Sequence, residues 1–258
     1  MDRPPMSVVT DAEHGGRWSS LRGRNGREWL WRRDAPERDG VHPGDPFVDA
    51  GGLEECVPTI GGVPDHGDAW CRPWTSVDGG LSVCGQGYRL QRHIDIGDRG
   101  VVVRYRLDAE PGWRFIWAAH TLIDVSTAAR LMVPRARAIW VNEGSETTST
   151  QWPTYQERDI SLLGEADGTA LMIIVPELST VTVVDGDESL TMVLQIDGQP
   201  SAVAIWRNLR GWPEREPYRS IGIEPMLGHS PTLSLAEPGE AAVVPPSGTV
   251  QWSLTIDA

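Results

Sequence analysis

The sequence predicts an all-β protein, a sandwich or barrel in a single domain, and three observations carry that prediction. Glycine (28) and proline (20) fill 48 of 258 positions, about a fifth against ~12% in average usage, which interrupts the chain too often for long helices. Apolar and polar side chains alternate with period two in several segments, most clearly where Val250, Trp252, Leu254 and Ile256 are separated by Gln251, Ser253 and Thr255, the signature of a half-buried strand. Such segments recur about every ten residues with no amphipathic helix between them, as in sandwiches and barrels. A chain of 258 residues that is 40% hydrophobic lies within the reach of one large β domain and can bury a substantial core.

The elements follow in order. Residues 1–26, rich in Gly, Arg and Ser, read as a flexible N-terminal segment, leaving 27–258 as the domain. A first strand is expected at 28–32. Segments 89–96 and 100–107 form a hairpin, because Val101, Val103, Tyr105 and Leu107 alternate with Val102, Arg104 and Arg106 just after the turn Gly97-Asp98-Arg99-Gly100. Further strands are expected at 115–125, 138–141, 170–175, 180–184, 190–196, 202–206, 241–244 and 250–256, most of them bounded by Gly, Pro, Asp or Asn. The stretch 142–156 reads as a second flexible piece.

Charge and targeting narrow the function. The 36 acidic and 23 basic residues leave a net charge of −13, which repels a polyanion, so no nucleic-acid partner is expected. Met1-Asp2-Arg3-Pro4-Pro5-Met6 has no apolar run behind it, and the longest apolar stretches, such as Leu171-Met172-Ile173-Ile174-Val175, fall far short of the ~18 residues that span a bilayer. A soluble, cytoplasmic protein with no membrane partner is therefore expected. Cys56, Cys71 and Cys84 are odd in number and lack the paired spacing of a zinc site or a disulfide framework, so they read as free thiols and no metal is expected.

A few residues stand out chemically. Twelve tryptophans against two phenylalanines and four tyrosines hint at carbohydrate, since indole offers an apolar face with a hydrogen-bonding N–H; Trp29 and Trp31, Trp70 and Trp74, Trp113 and Trp117, and Trp206 and Trp212 occur as near pairs. Core filling is the better reading of any single Trp. His120 lies inside the apolar run Phe115 to Ile123, where an imidazole is costly unless partnered or used. His66 sits in the Gly- and Asp-rich loop Pro64-Asp65-His66-Gly67-Asp68, a setting suited either to a turn or to binding. Glu224, in Ile221-Gly222-Ile223-Glu224-Pro225, ends a short apolar strand and is followed by a proline that removes a ladder donor.

Taken together, Gly51-Gly52-Leu53 through Pro58, His66-Gly67 and Trp74, His120-Thr121, Ile205-Trp206-Arg207-Asn208, and Ile223-Glu224-Pro225 resemble in order and spacing the aldose 1-epimerase (galactose mutarotase-like) superfamily, above all its hexose-6-phosphate 1-epimerase-like branch. The resemblance spans roughly residues 28–256. It implies a β-supersandwich with a cleft on its concave sheet, a small-molecule sugar substrate, no metal or other cofactor, and interconversion of the anomers of an aldose. It places the general acid at His120, the general base at Glu224, a ring-oxygen contact at His66 and a substrate-binding carboxylate at Asp159; among the tryptophans, Trp74 and Trp117 are expected to bind the sugar.

The chain departs from the phosphosugar branch, which carries arginines before its Gly-Gly and after its His-Gly. Here Ala50 and Trp70 stand at those positions, and Leu122-Ile123 replaces an aromatic pair after His120. Arg72, or Arg135 and Arg137, would have to grip a phosphate instead. Two other functions fit the same residues: a non-catalytic carbohydrate-binding protein, and glycoside cleavage by a carboxylate pair such as Glu55 with Glu224.

Overall fold

Alternating side chains make two-faced strands, and two-faced strands need a second layer to cover each apolar face. The computed structural model describes residues 4–133, 138–144 and 146–258. The chain begins with β1 (Ser7–Asp11), β2 (Arg17–Arg22), β3 (Leu53–Cys56), β4 (Thr75–Val77), β5 (Gly80–Gly85), β6 (Tyr88–Gly97) and β7 (Gly100–Ala109). It continues through β8 (Arg114–Phe115), β9 (Trp117–Ile123), β10 (Arg130–Met132), β11 (Ala138–Glu143), β12 (Glu146–Gln151), β13 (Thr154–Tyr155) and β14 (Arg158–Asp159). The last third holds β15 (Ala170–Pro176), β16 (Thr180–Asp185), β17 (Glu188–Gln195), β18 (Ser201–Leu209), β19 (Arg219–Leu227), β20 (Ala242–Val243) and β21 (Thr249–Asp257). Among the described residues the helical turns are two short 3-10 segments, Pro36–Gly40 and Leu233–Leu235, and no helix is long and apolar enough to cross a membrane.

Two antiparallel sheets dominate. One has nine strands in the order β1-β2-β3-β9-β19-β18-β15-β11-β12, the other eight in the order β10-β16-β17-β21-β7-β6-β5-β4. Their facing sides share one core, in which Trp18, Leu53, Trp117, Ile205 and Ile223 from the first sheet join Leu90, Val103, Tyr105, Trp252 and Leu254 from the second. The hairpin expected at 89–107 is present as β6 and β7, with Gly97 paired to Gly100.

The outer face of the nine-stranded sheet carries a second, smaller core. Cys56, Ala118, Ile174, Ala202, Ala204 and Met226 project from its strands and are covered by Ile60, Ile116, Ala236 and Ala241. With both faces covered, β9 is buried along its whole length and β19 from Ser220 onward, which is why both read as continuous apolar runs instead of alternating ones.

The N-terminal expectation is corrected. The composition of residues 1–26 suggests flexibility, yet β1 and β2 extend the nine-stranded sheet, and Met6, Trp18 and Leu21 are buried in the main core. Three apolar anchors outweigh the glycines between them, burial of each large apolar side chain contributing roughly 1.5–3 kcal/mol. Within the stretch 142–156 the residues of β12 are likewise structured: they pair with β11 from Ala138 opposite Gln151 to Glu143 opposite Glu146. Its polar composition marks a sheet edge instead of a flexible piece.

Candidate active site

The floor of the site is set by sheet register. In the β9–β19 pair, Gly222 lies opposite Leu122 and Met226 opposite Ala118, so Glu224 falls opposite His120. Glu54 is the partner of His120 on the other side, and Ala204 the partner of Glu224. One row across the sheet therefore reads Glu54, His120, Glu224, Ala204, with all four side chains on the outer face. The next row reads Leu122, Gly222, Trp206, Met172, Asn142.

A cavity of about 360 Å³ opens above these rows, lined by Phe47, Asp49, His66, His120, Leu122, Asn142, Met172, Trp206 and Trp212, with Ile60, Gly61, Pro231 and Thr232 at its edge. That is the size and mixed chemistry of a small-molecule site. Glu224 is not itself among the lining residues; it lies against His120, fully buried, with Oε1 3.8 Å from His120 Nε2. Gly222 keeps the space beside it open: a Cβ there would sit 2.8 Å from Glu224 Oε1 and 2.9 Å from Trp206 Cβ.

The electrostatics follow from burial. Neither oxygen of Glu224 has a hydrogen-bond partner among the described residues. Burial raises its pKa above the ordinary carboxylate value and the facing imidazole opposes that rise. Burial lowers the pKa of His120, with Glu224 pulling the other way and His66 adding to the depression. A base made stronger and an acid made stronger thus face each other in one low-dielectric site.

Neighbouring rings fix the imidazole. Phe47 and His66 stack at 3.8 Å between centroids, and each meets His120 edge-on, at 5.6 and 5.1 Å. His66 has a left-handed backbone (φ 56°) and its Nδ1 lies 2.8 Å from Asp65 Oδ1. An ionised carboxylate only accepts, so Nδ1 carries the proton. Burial would raise the Asp65 pKa, but the bonds from His66 and from the Phe47 backbone N–H outweigh it and hold it low. Gly67 is required next, since a Cβ would fall 2.0 Å from the Val57 carbonyl oxygen.

Asp49 supplies a carboxylate at the wall, accepting from Gly51 N at 2.9 Å and from the Tyr218 hydroxyl at 2.5 Å. Its segment is held by Arg38, which donates to the Val48 carbonyl at 2.8 Å and forms a two-pronged pair with Glu54 while buried at 4% exposure against 1%.

The structure therefore gathers His66, His120 and Glu224 and separates the other expected residues. Trp117 faces the main core, completely buried, its indole N–H donating to Glu55 at 2.7 Å and its ring against Tyr105 and Trp252. It stands three positions before His120, and an odd spacing on a strand means opposite faces. Trp74 is buried beneath the Arg92 guanidinium, 4.8 Å from ring centroid to Cζ, and belongs to the same core.

Asp159 lies on the exposed β13–β14 ribbon, bonded to Ser161 and paired with Arg130 at 3.2 Å. It is not among the cavity-lining residues; Asp49 is. Glu55 cannot join Glu224 in glycoside cleavage, because it points into the main core and holds Arg92, Tyr105 and Trp117. Arg72 is tied to Asp68 at 2.8 Å, and Arg135 and Arg137 lie outside the described residues.

Sequence reasoning misses Phe47 and Asp49, which come from an irregular segment with no periodic signal. It notes Trp206 and Trp212 as a pair without choosing them over the other tryptophans.

No family model and no curated protein matches the sequence. Solved structures do match its shape. A galactose mutarotase-like protein from Lactobacillus casei ATCC 334 is 16% identical, with a TM-score of 0.63 over 98% of this chain and 99% of that one. A galactose mutarotase related enzyme from Lactobacillus acidophilus is 12% identical, with a TM-score of 0.67 over 100% and 96%. A protein from Synechocystis sp. PCC 6803 gives 14%, 0.67, 99% and 96%. Along nearly its whole length, this chain has the galactose mutarotase-like β-sandwich fold.

Proposed function

We propose that the protein is an aldose 1-epimerase-like isomerase that interconverts the anomers of a sugar by acid–base ring opening at His120 and Glu224. The observation that carries this reading is the facing of the cavity-lining His120 imidazole and a buried carboxylate that has no hydrogen-bond partner among the described residues, 3.8 Å apart.

The chemistry needs one proton taken and one given. Glu224 accepts the proton of the anomeric hydroxyl as His120 donates one to the ring oxygen; the C1–O5 bond breaks and C1 becomes an aldehyde. Rotation about C1–C2 turns the other carbonyl face toward the ring hydroxyl. Reclosure returns each proton, leaving both side chains as they began. Each well-placed proton transfer contributes typically ~10²–10⁴-fold, and burial supports both roles by strengthening base and acid together.

His66 and Asp49 bind and orient the sugar hydroxyls in this reading, while Trp206 offers an apolar face to the ring. The remaining lone pairs of Asp49 are free to accept.

The test is equilibration of freshly dissolved pure anomers of several aldoses, followed by polarimetry or by anomeric-proton NMR. Acceleration above the buffer rate supports the proposal. Sugar binding without any acceleration would show a carbohydrate-binding protein instead.

A further inference from the structure

Trp212 is an anomaly on this surface: a large indole at 46% exposure that is nevertheless held in place from both sides. Its clamp is Asn208, which is completely buried. The Asn208 side-chain oxygen accepts from the backbone N–H of Gly211 and of Trp212, each at 3.0 Å. Its nitrogen donates to the carbonyls of Trp212 at 2.8 Å and Tyr218 at 3.0 Å, and lies 3.2 Å from Ser220 Oγ. One amide thus ties both ends of the 210–218 loop to the sheet and fixes the Trp212 backbone through its donor and its acceptor.

Gly211 serves the same end, because a Cβ there would lie 2.3 Å from the Thr169 carbonyl carbon. Leaving an indole half in water forgoes hydrophobic stabilisation. Fixing it there is what a preorganised contact surface requires.

Trp212 is also the middle of an aromatic row. Trp206, within the cavity, meets it edge-on at 6.2 Å; Tyr218 meets its other side at 6.2 Å; and Trp31 stacks on Tyr218 at 5.3 Å with planes 8° apart. Tyr218 is fixed by its bond to Asp49, which lines the cavity. The row therefore starts with Trp206 and Trp212 on the cavity lining and continues to Tyr218 and Trp31, which are not among the lining residues.

We infer that Trp212, with Tyr218 behind it, forms a second sugar subsite, so that the substrate is an uncharged reducing disaccharide or longer saccharide whose reducing unit occupies the cavity. The second unit lays its C–H face on the exposed indole. This rests on the proposed anomer chemistry for the choice of reducing end, whereas the subsite itself is a binding claim with its own readout.

The experiment compares pure-anomer lactose, maltose, cellobiose and a 1→6-linked disaccharide with glucose and galactose, using wild type, Trp212→Ala and Trp212→Phe, with circular dichroism to verify folding. At least one disaccharide is expected to exceed its own reducing-end monosaccharide by about tenfold in kcat/KM, equivalent to about 1.4 kcal/mol. That ratio falls to near one in Trp212→Ala and recovers in part in Trp212→Phe. Equal values for every disaccharide and its monosaccharide, or a ratio that Trp212→Ala leaves intact, overturns the subsite. If no sugar is turned over, the isomerase reading fails separately, and calorimetric titration with the same sugars decides: tighter disaccharide binding lost in Trp212→Ala upholds the subsite, and equal binding refutes it.

Discussion

His120 and Glu224 occupy opposed positions on neighbouring antiparallel strands, with Nε2 and Oε1 3.8 Å apart, although 103 residues of chain separate them. Cross-strand opposition puts Cβ atoms about 4.5–5.5 Å apart before any side chain adjusts. The pair is thus held by backbone register, which positions catalytic groups more rigidly than a loop does.

Removing either member should abolish the reaction while leaving the fold. His120→Ala and Glu224→Gln are each expected to slow anomer equilibration by ~10²–10⁴-fold, and the double variant by little more than the worse single one, since the two act as a unit. Polarimetry of the three variants checks this; additive losses would count against a concerted pair.

The pH dependence follows from the directions of the two shifts. Productive turnover needs one proton shared by the pair. Burial raises Glu224 from an ordinary 4.5 and lowers His120 from an ordinary 6.5, so the two displacements bring the pair toward each other. The profile of kcat/KM should be a bell with an acid and an alkaline limb that belong to the pair jointly. A rate that lacks either limb would exclude the assignment.

Glu224 should cost stability where it is charged. A folded pKa raised above the unfolded one gives a contribution that is complete below about 4.5 and is lost as pH rises through the raised value. Glu224→Gln cannot titrate, so at pH 8 it should be more stable than wild type by about 1–3 kcal/mol, the scale of an unpartnered buried polar group. For a chain of this size that is a rise in Tm of ~2–4 °C per kcal/mol, and the advantage should shrink toward pH 4. Thermal melts across this range make the comparison.

Gly222→Ala isolates positioning. Its methyl would press on Glu224 Oε1 at 2.8 Å and on Trp206, and displacing a reacting group by about 1 Å costs on the order of 10²-fold in rate. A fall in kcat of at least tenfold is expected, with a stability loss of ~1–3 kcal/mol from overpacking. An unchanged kcat would mean that Glu224 does not act from this position.

The Arg38–Glu54 pair, buried on both sides, should behave asymmetrically. Arg38→Met or Glu54→Gln alone leaves an unmatched buried group and is expected to cost about 3–5 kcal/mol; the double change Arg38→Met with Glu54→Leu should recover much of it. Denaturant titrations of the three variants measure this.

Much of the architecture was legible because half-buried strands announce themselves: the 89–107 hairpin and the last strand are where alternation puts them. The N-terminal strands were not, because β1 and β2 are short and rich in polar residues, and what holds them is burial of Met6, Trp18 and Leu21 against distant segments. In the site, resemblance pointed to His66, His120 and Glu224, and the structure brings these three together.

The tryptophans show where composition stops being informative. Trp117 and Trp206 are the same residue in similar apolar strands, and only the face decides which one lines the cavity. Counting parity from His120 would have removed Trp117. Nothing in the sequence marks Phe47 or Asp49, whose placement depends on Arg38 anchoring an irregular stretch.

The groups that would move protons stand on central strands, while much of the wall above them comes from connecting segments around Phe47 and Asp49, His66, Trp212 and Pro231. Under the proposed function, reaction and selectivity would thereby be inherited separately. Drift in the connections would then retarget the molecule to another saccharide without disturbing the pair, and overall sequence similarity would fade while the chemical step was retained.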